Sequence, residues 1–97
     1  MKKYNVAVVG ATGLVGSKIL DIMAERNFPV KNLYLLSSKK SAGSEVDYQG
    51  ETYLVEELKE DSFERDIDIA LFAAGGSVSG KYAPMVAKKG IKVVDNS

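Results

Sequence analysis

The chain has 97 residues, thirteen basic and thirteen acidic, with no cysteine and no histidine. That length holds one small domain with a single core, and without cysteine there are no disulfides, thiolate metal sites or thiol nucleophiles. Balanced charge gives no pull toward nucleic acid or a membrane surface, and no apolar run approaches the roughly 18 residues of a membrane span.

The amino-terminal stretch MKKYNVAVVG has two lysines before an apolar run, as a signal peptide would. The run is too short and leads straight into glycines and an amphipathic segment, so a cytoplasmic protein is expected. Tyr4 to Val9 is continuously apolar and rich in β-branched residues, the pattern of a parallel strand covered on both faces. From Leu14 the period becomes helical, with Val15, Ile19, Ile22 and Met23 on one side; Asn27 and Pro29 end that helix. Asn32–Ser38 reads as a second strand. The polar, glycine-bearing segment that follows has room for a short strand around Val46–Tyr48, and Thr52–Leu58 reads as a short edge strand.

Lys59–Asp66 has the composition of a single helical turn. Ile67–Gly76 is a buried strand ending in small residues. Ser77–Gly90 reads as a helix that starts close to Pro84 or carries it in its first turn, with Gly90 as its carboxyl-terminal cap. Ile91–Asn96 is the last strand. Strands alternating with helices imply right-handed crossovers and a parallel sheet, hence an α/β fold. Because the chain stops directly after an apolar strand, a fragment of something longer is expected.

Gly10, Gly13 and Gly16 form G-x-x-G-x-x-G at the first strand-to-helix junction, a spacing variant of the dinucleotide fingerprint. Gly10 turns the chain off the strand, Gly13 clears space where backbone meets a pyrophosphate, and Gly16 lets the helix approach the strand. The helix amino terminus offers unpaired N–H groups to phosphates, and Thr12 adds a hydroxyl. A bare strand-to-helix turn is the bland alternative. Its position after the first strand, opening an amphipathic helix within a βαβ unit, favours nucleotide binding. About 20 residues on, NAD-selective sites place an acid for the ribose 2′-hydroxyl. Here the sequence is LLSSKKSAG, with no acid before Glu45; Ser38, Lys40 and Ser41 suit a 2′-phosphate, so NADP is the expected cofactor. FAAGGSVSG (Phe72–Gly80) repeats the small-residue pattern at a later strand end.

Taken together, VAVVGATGLVG, SSKKSAG, DIALFAAGGSVS and VVDNS resemble the aspartate-semialdehyde dehydrogenase family, in order and at matching intervals over Met1 to Ser97. The resemblance implies a Rossmann-type, doubly wound, mostly parallel sheet, and covers only that family's amino-terminal cofactor-binding part. It implies a parent enzyme that reduces aspartyl phosphate to the semialdehyde with NADPH, in lysine, threonine and methionine biosynthesis. It also implies a homo-oligomer, while the balanced charge and the lack of a membrane-length apolar run give no expectation of a nucleic-acid or membrane partner. The family's cysteine nucleophile, histidine and substrate-binding arginines have no counterpart here, so this chain alone is expected to be inactive. Lys40 stands where the family often has arginine, which keeps the charge but loses the bidentate fork.

By resemblance and placement together, Gly10, Thr12, Gly13, Leu14 and Val15 hold the pyrophosphate and Ser38, Lys40 and Ser41 the 2′-phosphate. Ala74 and Gly75 lie along the dinucleotide, and Asn96 approaches the nicotinamide side. The acids Asp66, Asp68 and Asp95 are expected to cap turns or end strands. The competing readings are the cofactor domain of N-acetyl-glutamyl-phosphate reductase and a non-catalytic nucleotide-sensing module.

Overall fold

The computed structural model describes residues 2–96; Ser97, the last residue of VVDNS, lies outside them. The chain runs β1 (Tyr4–Val9), α1 (Leu14–Glu25), β2 (Val30–Ser37), β3 (Glu45–Tyr48), β4 (Glu51–Glu57), a 3-10 turn (Glu60–Phe63), β5 (Ile69–Phe72), α2 (Gly76–Lys88) and β6 (Lys92–Asp95). The six strands form one sheet in the order β3-β4-β2-β1-β5-β6. Every neighbouring pair is parallel except β3 with β4. With β3 set aside, the parallel strands have the order of a doubly wound nucleotide-binding sheet, and the direction of winding reverses between β1 and β5.

The period-2 alternation of β1 sends Val6 and Val8 to one face and Ala7 and Val9 to the other. On the first face they meet Leu33, Leu35 and Val55 of the sheet and Leu20 and Met23 of α1. On the second they meet Leu36, Ala70 and Phe72, with Phe63 of the 3-10 turn, Val86 of α2 and Ile91. Covering on both faces is why β1 carries no polar alternation. Its four valine and alanine side chains are completely buried.

Helix α1 ends as its sequence suggests. Asn27 takes a left-handed φ of 51°. The Asn27 N–H donates to the Ala24 carbonyl at 3.2 Å and the Phe28 N–H to the Met23 carbonyl at 2.9 Å. This is the paired-bond stop of a Schellman motif, with Phe28 packing into the same core as Met23. Gly90, at φ 83°, follows the last turn of α2 and donates to the Ala87 carbonyl.

Two expectations need correction. β4 is not an edge strand: it lies between β2 and β3, and β3 forms the border. Its polar alternation reflects one poorly covered face, where Leu54 is 63% exposed, rather than a free hydrogen-bonding edge. Pro84 lies well inside α2 rather than in its first turn, because the helix already begins at Gly76. The missing N–H and the ring's clash cost about 3 kcal/mol. Complete burial of Val86, with Tyr82, Ala83 and Met85 packed around the same cluster, holds the helix through it.

Candidate dinucleotide-binding site

The carboxyl ends of β1, β2 and β5 are fastened together at one place. Gly10 leaves β1 with φ 87°, and a Cβ there would lie 2.8 Å from both Cα and Cβ of Ala74. The N–H groups of Gly10 and Ala11 both donate to the Leu36 carbonyl, at 2.8 and 3.3 Å, and the Ala73 N–H donates to the Val9 carbonyl at 2.8 Å. Gly10 therefore meets two needs at once: a conformation closed to ordinary side chains and direct contact with the loop after β5. Gly16 meets a third, since a Cβ on it would sit 2.1 Å from the Gly10 carbonyl oxygen. Only glycine lets α1 start this close to the turn.

Gly13 is different. Its φ of −81° and ψ of 174° suit any residue, and a Cβ there would meet nothing nearer than the Gly10 oxygen at 3.6 Å. The fold does not require glycine at this position, which fronts a cleft.

The first hydrogen bond at the start of α1 runs from the Ser17 N–H to the Gly13 carbonyl at 2.9 Å. Helix geometry leaves the N–H groups of Leu14, Val15 and Gly16 without intrahelical acceptors. No acidic side chain occupies the first turn, so the positive end of the helix dipole is not neutralised by the chain itself. Beside it, the Thr12 and Ser37 hydroxyls are hydrogen-bonded at 2.9 Å.

The cleft in front of these groups has a volume of about 350 Å³ and crosses the point where the winding reverses. Of the residues expected to bind cofactor, Gly10, Thr12, Gly13, Ser38, Ser41 and Ala74 line it together. Leu14 and Val15 do not; these residues are 81% and 43% exposed at the start of α1. Lys40 is exposed on the turn after β2, outside the lining. Gly75, at φ 99°, is the N-cap of α2. Asn96 donates its N–H to the Phe72 carbonyl at 2.8 Å, at the far border of β5.

Four further residues line the cleft that sequence reasoning did not single out: Ser37, Leu58, Ala73 and Val78. Ser37 had a signal, its place in the Ser37–Ser38 pair at the end of a strand. Leu58 had none. It is brought in after β4 by its N–H, which donates to the Ser37 carbonyl at 2.7 Å. Among the described residues, no ionisable side chain lines the cleft. Asp68 and Asp95 are engaged elsewhere, as expected for strand-end acids: Asp68 accepts from the Asn5 N–H at 2.8 Å, and Asp95 accepts a short bond from the Ser79 hydroxyl.

A parallel sheet wound outward from β1, with a glycine turn and an open helix amino terminus at its point of reversal, makes this a Rossmann-type dinucleotide-binding domain. The chain belongs to the family described as semialdehyde dehydrogenase, NAD binding domain, whose model matches residues 5–97. It is 50% identical over 97 residues to the aspartate-semialdehyde dehydrogenase of Campylobacter jejuni, covering 99% of this chain and 28% of that protein. It is likewise 50% identical over 93 residues to the Bacillus subtilis enzyme, covering 96% of this chain and 27% of that one.

Among solved structures, aspartate semialdehyde dehydrogenase II of Vibrio cholerae, complexed with ASA, superposes with a TM-score of 0.93 at 43% identity, covering 99% of this chain and 32% of that one. The chain thus spans somewhat more than a quarter of the length of the curated relatives it matches. Among the described residues, no helix is long and apolar enough to cross a membrane.

Proposed function

We propose that this chain is the NADP-binding domain of an aspartate-semialdehyde dehydrogenase. The observation that carries the reading is Gly13, a glycine that neither backbone conformation nor packing requires, placed where the cleft meets the open end of α1. Space kept clear at that point suits backbone approach to a pyrophosphate. The N–H groups of Leu14, Val15 and Gly16 would donate to its oxygens, with the Thr12 hydroxyl beside them. Ala73 and Ala74, small side chains lining the cleft, would let the dinucleotide cross the sheet end, with Asn96 toward the nicotinamide side.

The choice of NADP rests on the end of β2. Ser38 and Ser41 line the cleft and, among the described residues, no acid does, so none of them repels a 2′-phosphate. Lys40 lies on the same turn, close enough in sequence for its flexible side chain to swing toward that group. When bound, the reduced nicotinamide would supply the hydride that converts an acyl phosphate to an aldehyde. What this chain contributes is binding, orientation and exclusion of a competing acid. The cysteine nucleophile and the histidine that the family resemblance implies have no counterpart here, since both residue types are absent. The identities of 50% to enzymes named for this activity support the reading over a reductase of acetylated glutamyl phosphate or a nucleotide sensor.

The test is calorimetric titration of NADP and NAD into wild type and Lys40→Asp at low and moderate salt. A charge-assisted hydrogen bond is worth about 1.5–3 kcal/mol, reduced at an exposed lysine by screening and side-chain ordering. NADP is therefore expected to bind about 5- to 30-fold more tightly than NAD, with the preference shrinking as salt rises and lost in the variant. Equal wild-type affinities, or a variant with undiminished preference, would refute the NADP assignment. Binding of neither cofactor would refute the site.

A further inference from the structure

We infer that Ser37 is a positioning residue for the phosphate loop: its hydroxyl donates to Thr12 and thereby frees the Thr12 proton for a phosphate oxygen. The inference rests on the dinucleotide-binding reading above and assigns a role to a residue that the glycine and 2′-phosphate motifs leave out.

The two hydroxyl oxygens lie 2.9 Å apart, and either could donate in the absence of a ligand. Bound phosphate removes that freedom. A phosphate oxygen only accepts, and each hydroxyl has one proton. If Thr12 donates to phosphate, the Ser37–Thr12 bond survives only with Ser37 as donor. The opposite polarity leaves the lone pairs of Thr12 facing phosphate, which is repulsive.

The unequal exposure of the two residues favours the productive polarity. Ser37 is 8% exposed, and among the described residues its hydroxyl has Thr12 as its hydrogen-bonding partner. Thr12 is exposed at the cleft. With Ser37 donating, the buried proton is satisfied and the free proton is the one that faces the ligand. With Thr12 donating, the free proton would sit on the largely buried Ser37 rather than on the exposed Thr12, less accessible to a ligand and at the cost of a bond left unmade. A two-member chain ending on a charged acceptor also strengthens both of its bonds.

Ser37 is held firmly enough for the task. It ends β2, its carbonyl accepts the Leu58 N–H at 2.7 Å, and the residue before it accepts the N–H groups of Gly10 and Ala11. The same short stretch of β2 thus fixes the phosphate loop through backbone and side chain alike.

The test is a double-mutant cycle read by cofactor affinity, with thermal melting of every variant as a check on folding. Ser37→Ala is expected to weaken NADP and NAD alike by about 2- to 10-fold, because the pyrophosphate is common to both. The NADP-to-NAD ratio should stay unchanged. In a Thr12→Val background, Ser37→Ala should cost nothing further, while in Thr12→Ser, which keeps the hydroxyl, the loss should return. Ser37→Cys, a weak donor of similar size, should fall between wild type and alanine.

A merely structural role for Ser37 would lower affinity equally with and without the Thr12 hydroxyl, and that result would overturn the inference. Unchanged binding by Ser37→Ala, or an altered NADP-to-NAD ratio, would overturn it as well. Failure of the wild type to bind either cofactor would instead refute the binding reading, and this inference with it.

Discussion

Replacing Gly16 and Gly13 by alanine, one at a time, separates a glycine needed by the fold from one needed by a ligand. At Gly16 the new Cβ would lie 2.1 Å from the Gly10 oxygen and 2.9 Å from both the Ala11 Cα and the Gly10 carbonyl carbon. All three are backbone atoms, so no side chain can swing away, and the start of α1 must move off the turn. Overpacking of this kind costs about 1–3 kcal/mol and sometimes more. Against it stands the gain of about 1 kcal/mol for alanine over glycine inside a helix.

A 2.1 Å approach to backbone puts the cost at the upper end, so the net expectation for Gly16→Ala is a loss of about 2 kcal/mol, lowering the melting temperature by roughly 8–16 °C for a domain of this size. At Gly13, alanine takes the existing conformation, and its contact with the Gly10 oxygen at 3.6 Å is ordinary. A slightly poorer N-cap is balanced by a less flexible unfolded chain. The change should therefore stay within about 0.5 kcal/mol, while a branched side chain at the same position, Gly13→Val, should abolish cofactor binding in a folded protein. Thermal and urea unfolding give the stabilities, and calorimetry on the same samples gives the affinities. Gly16→Ala at least as stable as wild type, or Gly13→Ala destabilised as much as Gly16→Ala, would refute the reasoning.

Two further outcomes follow from the charges and from the composition. Arg65 forms a two-pronged bond to Glu56, at 2.6 and 3.1 Å, and this hydrogen bonding holds the Glu56 carboxyl below its ordinary value of 4.5. Because the folded state favours the ionised form, the contribution is present above the ordinary carboxylate range and lost as acid protonates Glu56. The pair is partly solvent-exposed, so Glu56→Gln should cost less than about 1 kcal/mol at neutral pH. Urea unfolding from pH 7 to pH 3 should show the two proteins converging, and a gap that stays constant would assign the loss to packing. The 97-residue chain alone should show no NADPH-dependent reduction of an acyl phosphate, having neither cysteine nor histidine; turnover by a sample free of contaminating enzyme would contradict this.

What the sequence made legible follows from what its patterns encode. The burial of β1 and the jobs of Gly10 and Gly16 could be read because an uninterrupted β-branched run and a glycine at a strand-to-helix junction each answer a local steric demand. Alternation in β4 reports which face is covered but not which strand lies alongside, so its interior position was hidden. So was the hairpin that places β3 at the border. Its two-residue turn, Gln49–Gly50, has both residues at positive φ, 49° and 84°, where asparagine or aspartate is the usual partner of glycine. Pro84 misled because its cost is local, whereas the burial that offsets it comes from Phe63 and Phe72, distant in the chain. Leu58 and Val78 escaped notice for a related reason: a cleft collects residues from several strand ends, and only the topology brings them together.

The hairpin at the sheet border also has a bearing on solubility. Without it, β4 would present an open row of backbone donors and acceptors alongside Tyr53, Leu54 and Val55, a template on which strands of other molecules could assemble. β3 occupies those bonds with only four residues. The strand is short and carries two exposed acidic residues, Glu45 and Asp47, a charge that disfavours pairing with an identical strand from another copy. A segment outside the lining of the cleft thus caps a sheet edge that would otherwise be open to pairing with other chains.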